Sequence, residues 1–380
     1  MAHLMHLAEL SALEESGVVP IADIVPLSQY VIPQPPLAYG GAFSVADLAW
    51  AHNFCSGIDA VSPAVSIYKI SGCMVSVSGA VMTRSGALIA ESAYPYVRPQ
   101  DIANAFGPGL SLDADAVDFG FNVRAFSQLS EPLLYGRDHG EEGYFHWLHS
   151  VLPRVAAYRQ AGLAHRLLVA LTKPFQSASL HTMGVSSEQC LVSTGATYLC
   201  DELYFCSPMV VPDLTRSGGF FERALYATDV LRSFAPSTTL GKASRAIYIS
   251  RGDASIRRFS SEGELVRQLA SVGIETVTLS GMDFKDQVRL FSECALVIGA
   301  HGAGLSNVSL MPQGAQVVEV LSPRRLWPTY RGVAARSGVR YYPYVAASVG
   351  TETTNDSDID VNIDHLLDFV NRVRQTGVSA

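Results

Sequence analysis

The chain has 380 residues, of which 48% are hydrophobic and 16% charged, and its net charge is -8. That length exceeds what one core usually accommodates, so two domains with some decoration are expected, and the apolar share argues against a disordered chain. The acidic balance gives no broad attraction to nucleic acid or an anionic membrane; an anionic ligand would need a local group of arginines and backbone amides.

Met1 to Leu13 is mildly apolar, but histidines and glutamates interrupt it and no basic stretch precedes it, so it does not read as a signal peptide. No run of about 18 apolar residues is present, so a cytoplasmic protein is expected, peripheral at most to the inner face of a membrane. The cysteines at 55, 73, 190, 200, 206 and 294 form no Cys-x-x-Cys pair and read as free, buried thiols. Residues 1–130 form a β-rich N-terminal region, with a proline-rich loop or linker over Val31 to Pro36. Cys73 to Met82 alternates with period two and another apolar run follows Gly86, the grammar of a hairpin. Asp113-Ala114-Asp115 imitates the Asp-x-Asp of metal-dependent transferases, yet its Gly/Pro/Asp-rich surroundings read as a solvated acidic turn.

Residues 131–240 alternate strand and helix signals, as a first α/β domain would. Phe145 to Gln160 has helical spacing and holds Pro153 at a kink or junction. Leu167 to Leu171, Gln189 to Thr194 and Tyr198 to Phe205 read as strands. His146 and His149 share one helical face, but no third ligand accompanies them, and no metal site is expected. Arg154 either lines a cleft or caps a helix.

Over 241–350 the alternation is clearer. Arg245 to Ser250, Ile274 to Leu279, Ala295 to Ala300 and Gln316 to Leu321 read as strands, with helices over Ser261 to Val272 and Phe284 to Cys294. This is a doubly wound parallel sheet, whose ligands bind at the carboxyl ends of the strands. Residues 351–380 form a loop and an amphipathic helix over Ile363 to Arg374.

The strand ending at Ala300 runs into His301-Gly302-Ala303-Gly304-Leu305-Ser306-Asn307. Two glycines let backbone approach a ligand, and a helix starting near Leu305 to Asn307 would aim free amides at phosphate; His301 can donate to a phosphate or a sugar hydroxyl. The bland alternative is a close-packed turn with no ligand. An esterase oxyanion loop would need a Gly-x-Ser-x-Gly elbow, which the sequence lacks. Arg251, Arg257 and Arg258 follow an earlier strand, and guanidinium forks match the oxygens of a diphosphate. Arg324, Arg325 and Trp327 could border the same pocket, although Trp327 is as easily core.

In order, Ile249-Ser250-Arg251, the arginine loop before Glu262, Asp286-Gln287-Val288, His301 to Asn307 and Val317-Val318-Glu319 resemble glycosyltransferase family 61. Tyr144-Phe145-His146-Trp147-Leu148 with Leu152-Pro153-Arg154 resembles the motif opening that family's first Rossmann-like domain. The resemblance implies an α/β, GT-B-like architecture: two Rossmann-like domains facing across a cleft, with the β-rich extension before them. It also implies inverting, metal-independent transfer of a sugar from a nucleotide-sugar donor, UDP favoured, to a surface polysaccharide or glycolipid acceptor, with no cofactor. By transfer to matching positions, Arg251, Arg257 or Arg258 and the amides of Gly302, Ala303, Gly304 and Leu305 would neutralise the leaving diphosphate. Asn307 belongs to the same loop, Glu319 would serve the ribose or uracil, and His146 would be the catalytic base. The chain has Gly143 where the family often has Asn, Ser150 where an acidic residue stands, and Ser261 where an Asn precedes Glu262. A pyruvyltransferase, a sugar epimerase and an inactive binding subunit of a polysaccharide assembly complex are the alternative functions.

Overall fold

Short apolar runs between helical segments build a mixed α/β chain with several sheets. The computed structural model of the protein describes residues 4–41, 43–92, 110–113, 116–119, 126–138, 140–212, 221–235, 240–323, 327–349 and 356–378. The chain divides into two compact units, Met1–Ser28 with Val61–Val230 and Gln29–Ala60 with Leu231–Ala380. Both are discontinuous, and these boundaries differ from divisions at 130, 240 and 350. Ala114, Asp115, Arg324 and Arg325 lie outside the described residues.

In the first unit, Leu133–Tyr135, Arg166–Val169, Cys190–Val192 and Thr197–Cys206 belong to one sheet, with parallel pairing between neighbours. Taken in chain order they lie 3-2-1-4, so the order reverses at Leu133–Tyr135. The alternating segment forms the expected hairpin, Val65–Val75 against Val81–Thr83, with Cys73 opposite Thr83 and Val75 opposite Val81. Its inward positions, among them Ile70, Cys73 and Val75, pack with Leu133, Leu168, Leu203 and Phe205 in one core. Pro153 has the effect its chemistry demands. It lacks an N–H and crowds the carbonyl four residues back, and the helix widens just before it into a π turn over Trp147–Val151, where the Leu152 amide reaches the Trp147 carbonyl. Trp147 Nε1 donates to Ser179 Oγ at 2.8 Å and anchors the turn.

In the second unit the sheet is wholly parallel. Its order is Glu275–Val277, Arg245–Ile249, Cys294–Ala300, Gln316–Leu321, Arg340–Val345, Ala38–Tyr39. The five strands after residue 240 therefore lie 2-1-3-4-5, and the order reverses between Arg245–Ile249 and Cys294–Ala300. Ligands of open α/β sheets collect outside the strand ends at such a reversal. Two strands of this sheet were not legible in sequence. Arg340–Val345 carries Pro343, ordinarily an argument against a strand; here Ala38–Tyr39 pairs only Tyr344 and Val345, so a missing N–H at Pro343 is tolerated beside it. Ala38–Tyr39 is a two-residue strand more than 200 residues before the next strand of its sheet, Arg245–Ile249. Arg331, on the helix Thr329–Arg336, ties this early segment in by donating to the carbonyls of Pro33 (2.9 Å), Ser56 (2.5 Å) and Phe54.

Candidate active site

In the second unit, the predicted loop lies at the reversal of strand order. Cys294–Ala300 is almost entirely buried, and His301 and Gly302 lead into a 3-10 helix over Ala303–Leu310, two residues earlier than expected. The amides of Ala303 and Gly304 open that helix, where no intrahelical acceptor exists for them. Ala303 is exposed and Gly304 half-buried. Arg251 comes to the same place from the neighbouring strand. A Cβ on Gly302 would lie 2.5 Å from Arg251 Nη1, so glycine is what lets the guanidinium reach the turn. Arg251 Nη2 donates to the Ile256 carbonyl at 2.6 Å, while its Nε is buried without a hydrogen-bond partner. Burial pulls the ionisation of Arg251 below its usual range. Among the described residues Arg257 alone combines a side chain with positive φ, 55°, a costly conformation of a kind that concentrates at functional sites. Its Nη1 donates to the His301 carbonyl at 2.8 Å.

Other predicted positions do different work. Arg258 faces away: its side chain is 55% exposed and pairs with Asp358 at 3.6 Å. Leu305 is buried and its amide donates to the Gly302 carbonyl at 3.0 Å, so it holds the turn and offers nothing to an anion. Asn307 is buried too; its Nδ2 donates to Gln287 Oε1 at 2.9 Å and the Gly304 carbonyl at 3.2 Å, locking the loop to the helix Phe284–Ser292. Glu319 has no exposed surface and cannot touch a ribose or a base. One of its oxygens meets His301 Nδ1 at 2.6 Å and the other accepts from Tyr341 at 2.5 Å.

In the first unit, the loop after Leu133–Tyr135 carries a second group of charges. His146 is the third residue of the helical segment that begins at Tyr144, and its Nδ1 lies 3.6 Å from Asp138 Oδ1. Its ring packs onto Gly140, where a Cβ would fall 2.5 Å from the ring carbon Cγ. Asp138 also lies 3.5 Å from Arg154 Nη1, and Arg154 donates to the Arg137 carbonyl at 2.5 Å. Arg137 in turn donates to Glu141 at 2.7 Å and Ser193 at 3.0 Å. Burial pushes Glu141 up to about 6, against the opposing pull of Arg137. His149 is buried and stacks on Phe145 at 4.7 Å. Among the described residues, no three His, Cys, Asp or Glu side chains are grouped to hold a metal ion.

Residues 144–318 match the glycosyltransferase 61 family. The matched range begins two residues before His146, takes in the whole glycine loop and stops just before Glu319. A beta-1,2-xylosyltransferase of Arabidopsis thaliana is 32% identical over 88 residues, which is 23% of this chain. The match spans only 16% of that relative's own length. Both matches support a glycosyltransferase, and the resemblance drawn from the motifs is borne out. No described helix is long and apolar enough to cross a membrane.

Three side chains of the matched region and its flanks were given no role from the sequence. Glu262 gathers the Arg251 turn by accepting from Tyr248 (2.8 Å), Ser250 (2.9 Å) and the Arg251 amide (2.7 Å). Tyr330 lies against the His301 ring, centroids 5.0 Å apart. Asp138 sits eight residues before His146, too far along the chain for a helical pair and brought back only by the Gly140 turn. Glu141 makes a pH prediction possible. Its folded pKa of about 6 exceeds the unfolded value near 4.5, so its contribution to stability is fully present below pH 4.5 and lost as pH rises through 6. In chemical denaturation between pH 4 and 7, the stability of the protein minus that of Glu141→Gln should fall by about 2 kcal/mol over that window. A flat difference would refute the raised pKa.

Proposed function

We propose that the protein is an inverting, metal-independent glycosyltransferase of GT-B organisation, moving a sugar from a nucleotide-sugar, UDP first, to a hydroxyl of a polysaccharide or glycolipid. One observation carries the donor half: Arg251 and Arg257 converge on the His301–Gly302 turn at the reversal of strand order. There the Arg251 guanidinium and the Ala303 and Gly304 amides would take the diphosphate, and Arg257 would hold the loop in place. In the first unit, His146 would act as base through Nε2, since its Nδ1 faces Asp138. The acceptor proton passes to Nε2, its oxygen bonds to the anomeric carbon from the face opposite the nucleotide, and the bond to the diphosphate breaks. The electron pair leaves with the diphosphate oxygen, whose charge the guanidinium stabilises. Asp138 would then supply, from a different position, the carboxylate that Ser150 does not.

A thermal-shift screen against UDP, GDP, CMP and TDP, with and without attached sugars, tests this reading. A ligand at 100 times its Kd should add about 2.7 kcal/mol to stability. No stabilisation by any of them would remove the donor site.

A further inference from the structure

His301 has only one ring nitrogen left for a ligand. Glu319, on the adjacent strand and without exposed surface, takes the other at 2.6 Å. Burial and the nearby carboxylate push Tyr341 far above the usual phenol range, so Tyr341 keeps its proton and donates it to the second oxygen of Glu319 at 2.5 Å. A carboxylate that accepts from the phenol on one side accepts from Nδ1–H on the other. The rest of His301 is equally committed. Its amide donates to the Val320 carbonyl at 3.1 Å, its carbonyl accepts from Arg257 at 2.8 Å, and its ring rests on Tyr330.

A neutral imidazole with its proton on Nδ1 has a lone pair, and no hydrogen, at Nε2. That lone pair repels a phosphate oxygen and accepts from an O–H. We infer that His301 recognises a hydroxyl of the donor, on the ribose or on the transferred sugar, while the diphosphate falls to Arg251 and the loop amides. Glu319 is then a positioning residue that acts through His301. This inference rests on the nucleotide-sugar reading for the identity of the hydroxyl, but the tautomer beneath it does not.

Nitrogen-15 NMR of histidine-labelled, ligand-free protein at neutral pH, with the His301 signals assigned by their loss in His301→Gln, tests the tautomer. The expected result is a protonated Nδ1 and an unprotonated Nε2. A proton on Nε2, alone or together with one on Nδ1, would overturn the inference. Calorimetry with UDP, 2′-deoxy-UDP, 3′-deoxy-UDP and UDP-xylose then separates the two sources. If the ribose is read, one deoxy analogue should bind about 10-fold more weakly than UDP. If the sugar is read, UDP-xylose should gain a similar factor over UDP. Either difference should vanish in His301→Ala, and its absence from the unaltered protein would overturn the inference. Failure of every nucleotide to bind would instead overturn the donor-site reading, whatever the tautomer.

Discussion

Replacing His146 with alanine should lower the rate of transfer by about 100- to 10,000-fold, the range spanned by positioned general bases, while leaving nucleotide affinity unchanged. The two effects separate because the charges around His146 belong to the first unit, whereas Arg251 and the glycine loop belong to the second. Stability should also hold, since the His146 side chain is 36% exposed and its removal opens no sealed cavity. Asp138→Asn is the companion variant. It keeps the volume and the hydrogen bond from the Gly140 amide, 3.2 Å in the parent, but loses the negative charge that fixes the imidazole and stabilises it once protonated. A smaller loss of about 10- to 100-fold is expected, by analogy with removing the partner of a metal-bound histidine. Single-turnover assays with saturating donor measure both. Normal turnover in His146→Ala would eliminate it as base and turn attention to Asp138.

How far the sequence disclosed this site depended on where each residue's partners lie along the chain. The glycine loop was legible because its information is local: a buried strand, two glycines and a short helix follow one another between Cys294 and Leu310. A junction at Pro153 was legible for the same reason, since proline acts on the carbonyl four residues behind it, although its form as a π turn was not. The choice between Arg257 and Arg258 was not. Adjacent arginines look alike in a sequence, and what separates them is the left-handed backbone at Arg257, which turns one side chain to the loop and its neighbour to Asp358. Glu319 was visible only through the family resemblance, which gave it to the ribose or uracil; it lies within the strand Gln316–Leu321. Burial against His301 and Tyr341 turns it inward, and Tyr341 lies on a strand that Pro343 had obscured. Arg331 shows the limit most plainly. Its partners at 33, 54 and 56 lie nearly 300 residues away, and no local pattern announces such a clamp.

Arg251→Ala should weaken nucleotide binding by about 10- to 100-fold, equivalent to the 1.5–3 kcal/mol of a hydrogen bond to a charged group. It should do so without destabilising the ligand-free protein. Burial already works against the charged guanidinium, and its Nε has no partner, so the folded protein carries a cation whose desolvation is incompletely repaid. Removing that cation relieves part of the penalty and offsets the one lost bond to the Ile256 carbonyl. The turn itself persists, because Glu262 grips the Arg251 amide, which the substitution leaves in place. A residue that weakens the empty fold and is needed by the ligand is what a binding role predicts; a structural role predicts a lower melting temperature. Gly302→Ala approaches the same contact from the other side. Its new methyl would stand 2.5 Å from Arg251 Nη1 and must displace the guanidinium, so affinity should fall in the same direction with Arg251 still present. Calorimetric titration with UDP and melting without ligand, on both variants, measure the two quantities together. Undiminished affinity in Arg251→Ala would take the diphosphate away from this residue, and a large loss of stability with affinity retained would make it a structural one.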